Sequence, residues 1–156
     1  MEQVDATVAR MFATWKVLAF YADVREWESF TKVSWPAEHG ADLVMWAEKA
    51  TTRDPQPIAW DMRGHLTEFT KAAELCAAEI EDGSITHDGD PRVARHVMNA
   101  RRRVNRYGVS IGKESRGSQK KIDAAVCVVG VRMVRRYVQA TGWEPRRPKR
   151  APARLR

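Results

Sequence analysis

Cysteine is almost missing from this sequence. Only Cys76 and Cys127 occur in 156 residues. Each sits in an apolar, helix-like context without a CxxC partner, which speaks against a zinc site or a disulfide framework. Such usage suits a reducing compartment, so the expected location is the host cytoplasm and not the secreted space. No uninterrupted apolar run reaches the roughly 18 residues that a membrane span requires, and no secretory leader is seen. No membrane partner is therefore expected. A Gly-rich phosphate loop is lacking, so no ATP site is expected in this chain. Internal repeats are also lacking, which leaves one domain's worth of chain with enough length for a real core.

Acidic residues are scarce in only one half. Residues 1–90 carry 8 Lys/Arg and 17 Asp/Glu, a net of −9, whereas residues 91–156 carry 19 and 3, a net of +16. The overall +7 hides this split. An arginine-rich positive half is a fitting footprint for a phosphate backbone, with acidic protein surfaces as the rival partner and a solvated face as the bland alternative.

Apolar spacing predicts a helix from Val4 to Val17, carried by Val8, Met11, Phe12 and Trp15. The short run Val17–Ala22 then reads as a central strand, apolar on both faces, with Asp23 at its carboxyl end. Sites in open α/β sheets assemble at that edge, although an Asp capping the next turn fits as well. A partial helix is expected before Pro36 and a second strand over Leu43–Ala47. After a turn-rich stretch through Pro55 and Pro57, a long helix is expected from Ile58 to about Ile80. Asp90 reads as an N-cap with Pro91 at the first helical position. That helix is expected to continue to about Val104, surrounded by Arg92, Arg95, Arg101, Arg102, Arg103 and Arg106. A short extended segment is expected over Gly108–Lys113. Trp15, Trp27, Trp35, Trp46 and Trp60 read as packing aromatics. Trp143 stands at the edge of a basic, Pro-rich tail, residues 143–156, where disorder is expected.

The chain is organised around residues 119–138. Lys120 and Lys121 lead into Ile122, Asp123 and a long apolar run, broken only by Arg132, Arg135 and Arg136. Its length favours a helix, with Ile122, Val126, Val129 and Met133 on one side and the arginines on another. Asp123 shares a stripe with Cys127, Gly130 and Val134. A carboxylate there calls for a hydrogen bond, an arginine or a divalent cation. An acid in the first turn is also favoured by the helix dipole alone. The arginines have a further option, lying over an acidic part of residues 1–90.

Three blocks carry a family likeness. Ile85-Thr86-His87-Asp88-Gly89-Asp90-Pro91, Val97-Met98-Asn99-Ala100 and Lys121-Ile122-Asp123-Ala124-Ala125-Val126, in this order and spacing, resemble the C-terminal part of the phage terminase large subunit. The apolar strand ending at Asp23 is similar to the middle of the same domain. The likeness spans roughly residues 1–140.

The resemblance implies an α/β, ribonuclease-H-like nuclease fold, incomplete because its first strands are missing, with long helices flanking a small sheet over residues 1–142. It implies a metal-dependent endonuclease that cuts concatemeric double-stranded DNA in a packaging motor, with terminase or portal components as partners. The family's middle and last acids match Asp23 and Asp123, which are thereby implied as catalytic residues and ligands of Mg2+ or Mn2+. In a complete site, clustered carboxylates hold two cations about 3.5–4 Å apart. Asp88, Asp90 and His87 are possible additions, weighed against capping and loop hydrogen bonding. Lys120, Lys121, Arg92, Arg95, Arg101, Arg102 and Arg103 are the expected nucleic-acid contacts. The family's first acid has no counterpart, since Asp5 lies on a helix, and the ATPase part is absent. The implied product is a fragment with little or no cleavage alone. The alternatives are a non-catalytic nucleic-acid-binding module or an assembly partner of the motor.

Overall fold

A computed structural model describes residues 2–25, 27–49 and 53–144. The chain is α/β, with five α-helices and one two-stranded antiparallel sheet among these residues. The predicted tail from residue 145 onward lies outside the described residues.

Helix α1, Glu2–Thr14, ends three residues before its predicted limit and buries Val8. Trp15 lies just past that end and is 65% exposed, so it is not the packing aromatic the spacing suggested. Residues 17–22 do not form a regular central strand. They make one parallel bridge, Ala22 to Ala59, with Ala22 N–H donating to Ile58 C=O and Trp60 N–H donating to Ala22 C=O, each at 2.9 Å. Leu18 C=O accepts from Val44 and Met45 N–H on the same run. The predicted strand at Leu43–Ala47 is likewise an irregular segment, tied to Leu18, Gln56 and Pro57 by such single bonds. A π-helical turn, Phe30–Ser34, runs into the short helix α2, Trp35–His39.

Helix α3 spans Leu66–Glu81, starting eight residues later than its apolar stripe suggested. Ile58 and Trp60 are buried, as predicted, but on an extended stretch. The helix is delayed by Asp61, whose carboxylate accepts from Arg63 N–H while its carbonyl accepts from Gly64 N–H. A short polar side chain that captures nearby backbone donors in this way competes with helix formation.

Asp90 caps helix α4, Pro91–Asn99, by accepting from Arg92 N–H at 2.8 Å. The helix does not reach Val104. Ala100 turns extended, and strand β1, Arg101–Asn105, pairs antiparallel with β2, Gly108–Gly112. This hairpin is fastened to α3: Asn105 Nδ2 donates to the buried Thr70 hydroxyl at 2.9 Å, and the Glu74 carboxylate accepts from Val109 N–H at 2.8 Å. Gly108 has φ +132°, and a Cβ there would collide with that carboxylate, so glycine fits both the backbone and the space.

Helix α5, Asp123–Ala140, buries Ala125, Val129 and Met133 against α3 residues Phe69, Ala72, Ala73 and Cys76, with Trp60 alongside. A second cluster joins Val8, Trp35, Leu43 and Ile58, with Phe12, Phe20 and Trp27 packed on it. Trp35 Nε1–H donates to the Asp5 carboxylate at 2.8 Å, which gives that acid a structural role. No helix among the described residues is long and apolar enough to cross a membrane.

Candidate nucleic-acid interface

The three sequence blocks behind the resemblance meet at the head of α5. Ile85 packs on the α3–α5 cluster, and Asp90 starts α4. At the other end of α4, Asn99 Nδ2 donates to Lys121 C=O at 3.0 Å. His96 Nδ1 accepts from Ala124 N–H at 3.0 Å. Ile122 precedes the helix without a side-chain cap of its own, so His96 supplies from a distance what a capping side chain supplies locally. Spacing within the sequence held no signal for this role.

The basic residues fall into two groups. Arg92 is clamped on Asp90, with nitrogen–oxygen distances from 2.6 to 3.2 Å, and this guanidinium holds the Asp90 carboxyl down at about 2. Lys120 is bridged to Glu114 at 3.0 Å. Arg101 donates to the carbonyls of Met98 and Ala100, and Arg103 to those of Lys113 and Glu114; these bonds orient the guanidinium groups without neutralising them. Arg106 lies over the Tyr107 ring at 4.7 Å. The side chains of Arg95, Arg102 and Lys121 have no hydrogen-bond or ion-pair partner among the described residues, and all three residues are exposed. All five residues of β1 are exposed.

The α5 arginines divide as well. Arg132 Nε and Arg136 Nη1 each reach one oxygen of Glu79 at 2.8 Å across the α3–α5 interface. The hydrogen bond from Arg132, reinforced by Arg136, holds the Glu79 carboxyl down at about 2. Two of the three arginines thus lie over the acidic half, as one reading of the sequence allowed, while Arg135 stays exposed.

Asp123 and Asp23 are both exposed, and the side chain of neither has a hydrogen bond or ion pair among the described residues. Asp123 opens α5 and lies close enough to Cys127 to help burial push that thiol up. Asp23 lines an apolar trough of about 1120 Å³ between residues 17–21 and the α5 face of Cys127, Gly130 and Val134. Asp123 is not part of that lining; it stands one turn upstream of Cys127. Asp88 accepts from Asp90 N–H, and His87 Nδ1 from Gly89 N–H, which are loop-shaping roles. Among the described residues no group of three or more His, Cys, Asp or Glu could hold a metal ion. Two separate carboxylates do not fit a two-cation site by themselves, and no hydrolytic step is derived from them.

These features define an α/β chain with an arginine-bearing hairpin beside an unpaired acid at the head of its closing helix. The Gene 13 protein of Mycobacterium phage L5 is 38% identical to it over 129 residues, which cover 82% of this chain and 21% of that protein. The Gene 13 protein of Mycobacterium phage D29 matches to the same extent. The chain's kinship is thus with phage proteins, and it spans about a fifth of the length of the curated relatives it matches. No protein-family model matches the chain, and no solved structure matches it.

Proposed function

We propose that this chain is a segment of the nuclease region of a phage DNA-packaging terminase large subunit, and that it engages the backbone of double-stranded DNA through the β1–β2 hairpin and the head of α5. In this reading the fold is part of a ribonuclease-H-like domain. Residues 17–22 and 58–60 belong to its sheet, α5 is its closing helix, and Asp23 and Asp123 are the two acids it contributes. The remaining acid of a Mg2+ or Mn2+ site would come from polypeptide beyond these residues. Packaging partners such as terminase or portal components belong to the same proposal.

The observation that carries the reading is the exposed arginine strand set beside Asp123. Among residues 91–156 the only acids are Glu114, Asp123 and Glu144, and Glu114 is spent on Lys120. An exposed carboxylate without a partner in so basic a half has no structural task in sight. Phosphate contacts of this kind position a protein on a duplex without reading its sequence. The described acids make no group of three, which favours, as a second reading, a module that binds DNA without cutting it.

Duplex binding followed by fluorescence anisotropy across a salt series tests the interface. Combined Arg95→Ala, Arg102→Ala and Lys121→Ala should weaken binding and flatten the log–log salt slope by about 0.9 for each phosphate that is no longer neutralised. Unchanged affinity and slope would remove the hairpin from the interface. Plasmid nicking with Mn2+ separates the two readings: cleavage abolished by both Asp23→Ala and Asp123→Ala supports the nuclease, whereas binding that persists in both variants without any cleavage supports the module.

A further inference from the structure

The side of residues 17–22 that faces away from residues 44–60 is an open backbone edge. Leu18 and Ala22, four residues apart, spend their hydrogen bonds on the Val44–Met45 and Ile58–Trp60 side. That even spacing is the period of an extended chain, and it turns the main-chain groups of Ala19 and Tyr21 the opposite way. Neither residue makes a backbone hydrogen bond among the described residues. Five consecutive residues, 17–21, touch the apolar trough. A strand seen face-on presents only alternate residues, so exposure of all five to the trough is what an edge-on strand gives. The opposite wall is α5, where Val131 is 65% exposed.

We propose that this trough seats an extended apolar polypeptide strand contributed from outside residues 1–156, which pairs with the Ala19–Tyr21 edge and lays its side chains on α5. Six residues of edge at about 3.3 Å each span about 20 Å, the length of an ordinary strand. The lining is apolar, as a strand with β-branched and aromatic side chains requires. A lipid chain or small apolar ligand would fill the volume but leave the edge N–H and C=O groups without partners, at a cost that strand addition avoids. The source committed to is the additional polypeptide that the phage relatives carry, since the chain matches only 21% of their length. The inference does not depend on whether the chain handles DNA.

The test uses the full chain and peptides of about a dozen residues that tile the unmatched part of the Mycobacterium phage L5 Gene 13 protein. At least one peptide should bind and slow amide exchange at Ala19 and Tyr21 by about tenfold or more. Binding should be lost in Ala19→Pro, which removes an edge donor, and in Val131→Asp, which places a charge in the trough on an exposed position and so spares the core. The proposal is overturned if no tiled peptide binds, if a peptide binds while those two amides keep exchanging freely, or if binding survives Val131→Asp. It is equally overturned if the same amides are already protected in a self-associated form of the chain detected by sedimentation, which would assign the edge to a second copy.

Discussion

At the scale of single residues, Glu79 has the clearest measurable consequence. Its ordinary value is 4.5, and the folded protein holds it at about 2 through Arg132 and Arg136. A depressed carboxylate stabilises the fold fully above its unfolded value, and that contribution disappears as pH falls through the window between the two. Denaturation midpoints of the native chain and Glu79→Gln should therefore differ most near neutrality and converge as pH falls from about 4.5 towards 2. A gap that stays constant across that range would show that the pair does not titrate with folding. Asp90 and Asp61 are held low in the same way by neighbouring arginines, so the comparison with the variant, not the total acid sensitivity, isolates Glu79. Asp90 was legible in the sequence because capping is local chemistry: an acid before a proline at the first turn. Glu79 was not, because its partners lie 53 and 57 residues away and nothing in the spacing of a helix announces what crosses to it.

Among elements, helices with one strong apolar period were legible, and their ends were not. The stripe of α5 was evident through Ile122, Val129 and Met133, all buried. The start of α3 was misplaced because Ile58 and Trp60 continue its apolar spacing while lying on an extended stretch. Strand β1 was hidden inside a predicted helix, since a run of three arginines carries no period of its own. What makes it a strand is the partner β2 and the anchorage of Asn105 and Val109 on α3. The remote cap on α5 belongs to this scale as well. His96→Ala should cost about 1 kcal/mol, the usual loss when a capping acceptor is removed, measured by chemical denaturation. It should also raise amide exchange at Ala124 ahead of the rest of the helix. An unchanged Ala124 amide would mean that His96 contributes nothing to capping.

Over the whole molecule, the α3–α5 cluster is where stability is concentrated. Met133 is 2% exposed at its centre. Met133→Ala should cost about 2–5 kcal/mol, whereas Met133→Leu should cost less than about 1.5 kcal/mol. If the two variants unfold alike, the site tolerates lost volume and the cluster is loosely packed. The α/β class and the charge division were legible from composition and order. The meeting of the three terminase-like blocks at one place was not, because it depends on Asn99 and His96 reaching across from α4.

The double attachment to Glu79 has a mechanical corollary. Arg132 and Arg136 stand one helical turn apart and take different oxygens of one carboxylate. A helix held at a single point can pivot about it or creep along its neighbour, whereas two anchor points on one group resist both movements. Sliding α5 by a full turn, about 5.4 Å, would bring Arg136 to where Arg132 now sits and leave the second oxygen empty. The clamp therefore fixes how far Asp123, at the leading tip of that rod, projects relative to α3. A load applied at the tip would be borne more than two turns away.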